Sequence, residues 1–320
     1  MAATRRDITT NDVDADRFVQ ATLALKAEAS GLRASDLGIG PGPLAADRDL
    51  STWDLFIVWH VWAMQQISVD GRRNAAHMGP VFLPWHRWYL LVLEAQMRRV
   101  LGVGPDDFGL PYWDWAADGS NLTPSRQRTS AVVWTVVGGN GRAGDRRVVD
   151  GPFTAEQFDV RIEQGPGGQL RATDRGLRRN FGAAATRLPR QTDVDAALDE
   201  DTYDRADWDT SANSFRNRLE GWVPAGPAMH NRVHVWVGGD MAPGSSPNDP
   251  IFFLNHCLVD KQWDAWQQAS AAHTYAPTGQ SAPSDPLFRH RVGDPVYSIL
   301  TTNQPQIAAL QDVSSLYVYE

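Results

Sequence analysis

Six of the eight histidines in this 320-residue chain sit inside or beside segments that read as buried helix. His60 lies in the middle of STWDLFIVWHVWAMQQ, where Ser51 and Asp54 form a helix-start signal and nearly every neighbour of the histidine is apolar or aromatic. The glycine-bounded GRRNAAHMGP reads as a loop carrying His77. A third helix is predicted from about Pro84 to Gly102, with proline at its entry, Arg98 and Arg99 near its negative end, and His86 in its first turn. Further on, GPAMHNRVHVWVGG predicts a short helix closed by Gly238 and Gly239, which places His230 and His234 on one face. Asp249 and Pro250 then supply an N-cap and a first helical residue for IFFLNHCLVDKQWDAWQQ, with His256 inside.

A single histidine on an apolar helix is more often a core residue bonded to a backbone carbonyl. Two sets of three, His60 with His77 and His86, then His230 with His234 and His256, change that balance. Burying six unpaired imidazoles is costly, whereas a metal satisfies three ring nitrogens at once and prefers them neutral. All-imidazole ligation suits zinc, copper, iron or nickel, and the lack of carboxylates in the sets weighs against non-haem iron and manganese. The single cysteine, Cys257, excludes internal disulfides and cysteine-based zinc or iron–sulfur sites, and reads as a small buried filler. One zinc on three histidines would make a hydrolytic site. Two facing trihistidine metals can instead share dioxygen, each giving one electron, and that is redox chemistry.

With 42% hydrophobic and 21% charged residues the chain is an ordinary globular protein, and its net charge of −8 argues against nucleic-acid or acidic-membrane binding. No apolar run has signal-peptide or membrane-spanning length, so the expected location is the cytoplasm, with carried export left open. No linker or fixed-period repeat divides the chain, which reads as one elaborated domain over residues 1–320. A helix is expected over Asp14–Ser30, stopped by Gly31. Residues from about 116 to 220 read as loops and small strands, AVVWTVV among the strand pieces. The tail from Ala276 is expected to pack irregularly over the core with a mobile outer end. LPYWDW and the tryptophans at 59, 62, 85, 88, 263 and 266 read as helix packing, and His273 and His290, which lack triplet company, as surface residues.

The WHRWYLLVLE around His86, the LPYWDW at Leu110–Trp115, the HNRVHVWVGG from His230 and the SPNDPIFFLNH ending at His256 resemble the type-3 copper proteins, bacterial tyrosinases in particular, from about Arg5 to Gln268. That resemblance implies a mainly α fold, with a central four-helix bundle, long loops and a few short strands. It implies two copper ions, CuA on His60, His77 and His86 and CuB on His230, His234 and His256. The implied reaction uses O2 to hydroxylate monophenols ortho to the hydroxyl and to oxidise o-diphenols to o-quinones. The alternative is an o-aminophenol or catechol oxidase with little monophenol hydroxylation. Similar enzymes pair an asparagine like Asn231 with a glutamate like Glu220 to hold a water that deprotonates the incoming phenol. His234 would offer a ring for aromatic stacking, and the small Val235 would leave room at the entrance.

Two departures stand out. Asn255 precedes His256 where relatives often carry a second histidine, a change that could move preference toward o-aminophenols or o-diphenols. Ala75 stands where some relatives carry a thioether-forming cysteine, so no such crosslink forms. Tyr317 and Tyr319 resemble a closing tyrosine motif that pairs with an N-terminal arginine, Arg5 or Arg6. The partners implied are a small phenol and O2, a copper-delivery helper protein, and neither nucleic acid nor membrane. Two other classes stand beside this reading, an oxygen carrier of the hemocyanin kind and a zinc hydrolase.

Overall fold

A computed structural model describes residues 2–42, 47–299 and 304–320. It is mainly helical, and four helices carry histidines: α2 (Thr52–Gln65), α3 (Phe82–Leu101), α9 (Met229–Val237) and α10 (Ile251–Ala269). α1 (Asp12–Ala27) packs on α2 and α3. The short helices α4 (Trp115–Asn121), α5 (Pro124–Thr129), α6 (Val133–Val137), α7 (Gln191–Leu198) and α8 (Phe215–Glu220) lie in the long connection from α3 to α9. Among the described residues the strands make only two-stranded ribbons: β1 (Ala3–Arg5) with β8 (Tyr317–Tyr319), β2 (Ala29–Arg33) with β3 (Asp49–Ser51), β4 (Asp159–Gln164) with β5 (Leu170–Gly176), and β6 (Trp222–Val223) with β7 (Gly226–Pro227). Among the described residues no helix is long and apolar enough to cross a membrane.

α2 starts with the capping box its sequence announces: Ser51 accepts the Asp54 N–H and Asp54 accepts the Ser51 N–H. α9 closes at Gly238 and Gly239, both in the left-handed region, and a Cβ on Gly239 would sit 2.2 Å from the Arg178 carbonyl oxygen. At the start of α10, Asp249 accepts the Ile251 N–H and forms a buried two-point ion pair with Arg179 at 2.7 and 2.9 Å. α3 begins at Phe82, two residues before Pro84, because a proline within the first turn still forfeits no intrahelical bond. His86 therefore sits in the second turn rather than the first.

Several local expectations are corrected. α1 stops at Ala27, and Gly31, with φ +79°, belongs to strand β2 rather than to a helix stop. AVVWTVV is not a strand, since its last five residues form α6, where Trp134 packs on Phe181 at 4.4 Å and stacks on Trp236 at 6.1 Å. Packing there overrides β-propensity. His290 is buried, not on the surface, and His273 is half-buried with its ring stacked on Trp266 at 4.2 Å. Trp59, Trp85, Trp263 and Trp266 are core residues, as read from sequence, while Trp62 and Trp88 are half-buried against the core. Cys257 is a buried filler, its thiol pushed up to about 12 by burial.

The tail does not end freely. β8 lies parallel to β1, and the buried Arg5 guanidinium ion-pairs with Glu94 at 2.9 Å and Asp260 at 3.2 Å. It also lies 3.5 Å from the Tyr317 ring centre and donates to the Tyr319 hydroxyl at 2.9 Å. The tyrosine pair thus uses Arg5, whereas Arg6 pairs with Glu320 and Asp14. Asp260 is shared with Arg87 at 2.6 Å. Burial alone would raise the Asp260 carboxyl, but Arg87 and Arg5 outweigh it and hold the group below its ordinary value. Its contribution to stability is therefore present above the ordinary carboxylate pKa and is lost as pH falls through the lowered one. Asp260→Ala, which strands two buried guanidinium groups, is expected to cost roughly 3–5 kcal/mol in urea unfolding at pH 7. A change below about 1 kcal/mol, the scale of an exposed pair, would contradict this account.

Candidate metal centre

α2 and α3 bring His60 and His86 together, and the loop between them adds His77. α9 and α10 bring His230 and His234 to His256. In each group the ring nitrogens available to a metal lie within 4.8 Å of one another. The groups face each other: His86 stacks on His256 with ring centres 4.1 Å apart, and His77 lies 6.5 Å from His230.

Four rings are aimed by backbone carbonyls. His60 Nδ1 donates to Gly244 at 2.6 Å, His86 to Phe82 at 2.8 Å, His230 to Glu220 at 3.2 Å and His234 to Met241 at 2.7 Å. A proton on Nδ1 leaves Nε2 as a bare lone pair, the form a metal takes. The Nε2 atoms of His60, His86 and His234 are buried and have no partner in the protein. His230 Nε2 meets only His256 Nε2, at 3.0 Å. Buried acceptors are ordinarily satisfied, so this concentration of orphaned lone pairs fits a pair of metal ions held by imidazole alone.

Two phenylalanines dry the site. Phe82 lies 4.8 Å from His86 and 4.9 Å from His230, while Phe252 lies 4.1 Å from His256, 5.1 Å from His60 and 5.7 Å from His234. Each stands four residues before a histidine on its own helix, a spacing visible in the sequence that the histidine pattern overshadowed. Burial depresses all six imidazoles, His60 to about 3 and His234 to about 4. They are neutral at pH 7.

A cavity of about 330 Å³ opens over the two groups. Its wall includes His60, His77, His230 and His234 with Met64, Met78, Trp222, Asn231 and Val235. Asn231 and Val235 thus stand at the cavity, and Asn231 Oδ1 lies 3.1 Å from His230 Nδ1. Glu220 is behind the wall and fully buried, its carboxylate accepting the Met78 N–H at 2.7 Å and an Arg216 N–H at 2.9 Å. Asn255 is also behind the wall, and neither of its side-chain polar atoms has a partner. Sequence reasoning missed Met64, Met78 and Trp222, which carry no local signal of their own.

Two facing trihistidine groups inside a helical core define a type-3 dicopper protein. Residues 50–269 match the family model described as the common central domain of tyrosinase, and the chain belongs to the tyrosinase family. A tyrosinase of Streptomyces antibioticus is 41% identical over 71% of this chain and 77% of its own length. Grixazone synthase of Streptomyces griseus is 36% identical over 67% of this chain and 74% of its own length. In fold, a polyphenol oxidase from Thermothelomyces thermophila superposes with a TM-score of 0.71 at 22% identity, covering 99% of this chain and 88% of that one. An octopus hemocyanin unit shares the fold at a TM-score of 0.52 and 18% identity, over 100% of this chain and 68% of that one. The protein is a tyrosinase-type copper phenol oxidase, and its cofactor is a pair of copper ions.

Because the unfolded chain binds protons on these histidines near pH 6.5 and the folded chain does not, acid favours unfolding. The metal-free protein is expected to lose stability as pH falls below about 6.5, each imidazole contributing up to about 1.4 kcal/mol per pH unit. Urea midpoints at pH 7.5 and 5.5 measure this, and equal midpoints would contradict it.

Proposed function

We propose that His60, His77 and His86 hold one copper and His230, His234 and His256 the other, and that the enzyme both hydroxylates monophenols and oxidises o-diphenols. When bound, the copper pair supplies the exchange of electrons with O2. The chain's own residues select and deprotonate the phenol. A phenol has a pKa near 10 and arrives protonated at pH 7, so a positioned proton acceptor speeds its entry. Asn231 stands on the cavity wall beside His230, and the Glu220 backbone carbonyl meets the same ring from behind. In this reading Asn231 holds a water whose proton acceptor is the Glu220 carboxylate. Burial raises that carboxyl against the opposing pull of Arg216, which makes it a better base than an exposed glutamate. His234 offers its ring face to the substrate, and Val235 leaves the mouth open.

The observation that carries this reading is the place of Asn231 on the cavity wall, its side-chain oxygen 3.1 Å from Nδ1 of His230. Residues 1–320 work as one catalytic domain in this view, with the 276–320 segment tied to the core where Trp59 and Trp85 both donate to the Tyr297 carbonyl. The open cavity mouth suits copper delivery by a helper protein. A second reading, oxidation of o-diphenols or o-aminophenols without monophenol hydroxylation, is favoured by Asn255, whose unpartnered amide is adjacent in sequence to His256. The relative named grixazone synthase, whose name differs from that of the tyrosinases, stands beside it.

Oxygen uptake by the copper-loaded protein decides between them. Uptake with a simple monophenol as well as an o-diphenol is expected, and Asn231→Ala should lower the monophenol rate about 100-fold while leaving the o-diphenol rate within a few-fold. Turnover of the o-diphenol and an o-aminophenol alone would overturn the first reading in favour of the second.

A further inference from the structure

His77 differs from the other five proposed ligands. It is the one on a non-helical segment, and no hydrogen bond orients its ring, since its buried Nδ1 has no partner. His256 also lacks an Nδ1 partner, but it is fixed within the second turn of the nineteen-residue α10. The position of the His77 ring therefore depends on the backbone that carries it. Inside the loop, Asn74 Oδ1 accepts the N–H groups of Ala76 and His77. Just beyond, Met78 takes a φ of +64°, a conformation a non-glycine residue keeps only when its surroundings impose it.

Two side chains from distant sequence grip the loop on either side of Gly79. Glu220 accepts the Met78 N–H at 2.7 Å, and the buried Tyr203 donates its hydroxyl to the Pro80 carbonyl at 2.7 Å. Tyr203 is itself fixed, its ring lying 4.6 Å from Tyr275 and about 6 Å from Trp263 and Trp266. It is 1% exposed and does not line the cavity, so it touches neither substrate nor metal.

We propose that Tyr203 is a positioning residue for the first metal group, its hydroxyl clamping the Pro80 carbonyl so that, with Glu220 on Met78, it sets where His77 presents its ring. The proposal rests on the reading of His77 as a copper ligand. The competing view is that Tyr203 only packs the core, and Tyr203→Phe separates the two, because it keeps the ring and its aromatic neighbours and removes only the hydroxyl that reaches Pro80.

The test is copper binding by the full-length metal-free protein, dialysed against chelator-buffered copper, with copper per chain measured and thermal unfolding of each metal-free form recorded alongside. Wild type is expected to bind two equivalents. Tyr203→Phe should keep one equivalent at wild-type affinity and bind the other about tenfold more weakly or worse, the scale of losing a residue that orients a ligand. Wild-type binding of both ions by Tyr203→Phe, or an equal weakening of both equivalents, would overturn the proposal. Should Tyr203→Phe not fold, Glu220→Gln, whose amide oxygen still accepts the Met78 N–H, should outbind Glu220→Ala at that same equivalent, and equal binding by the two would overturn it. A wild type that binds fewer than two ions removes the ligand reading beneath the proposal, and this shows before any variant is compared.

Discussion

Ring nitrogens with bare lone pairs, held in a space dried by phenylalanine, are what the rest of this structure is arranged around. A buried acceptor without a partner costs free energy, and here three such Nε2 atoms converge while a further pair of imidazoles face each other at 3.0 Å. Such an arrangement needs rings that cannot turn away. The carbonyls of Gly244, Phe82, Glu220 and Met241 prevent it for four of them. It also needs helices that cannot slide. The contact of α3 with α10 meets that need with two kinds of interaction, a turn apart along α10: His86 stacked on His256, then Arg87 paired with Asp260.

α10 shows how one helix serves both purposes. Phe252, His256 and Asp260 follow at intervals of four and so lie along one stripe. The first dries the site, the second belongs to a histidine group that could hold a metal ion, and the third anchors Arg5 and Arg87. Through Arg5 the same carboxylate reaches the paired first and last strands, so both ends of the chain are tied to the helix that carries His256. At the start of α10, Asp249 holds Arg179 and thereby the long connection between α3 and α9. A charge pair buried this completely stabilises little relative to apolar packing, yet breaking it is costly, which suits a frame whose register matters.

The long helices and the two histidine groups were legible in the sequence because their signals are local: a capping box at Ser51, glycines at 238 and 239, histidines four apart on α9. The family resemblance rested on the same segments. What the sequence hid depended on partners far along the chain. AVVWTVV reads as a strand by its residue types, and the rings that Trp134 packs against in the helix, Trp113, Phe181 and Trp236, all lie well away along the chain. His290 looked like a surface residue because nothing near it in sequence shows that it packs against Gly79 beneath the His77 loop. Met64, Met78 and Trp222 reach the cavity from three separate elements.

If the two groups act as one centre, their copper ions must be electronically coupled, and this can be measured without any substrate. The protein loaded with two Cu(II) per chain is predicted to give an electron paramagnetic resonance signal that accounts for only a small fraction of its copper, because unpaired electrons on closely facing ions with a shared bridge pair with each other. A signal that integrates to two independent spins per chain would contradict the account, leaving two separate copper sites in place of a dicopper centre.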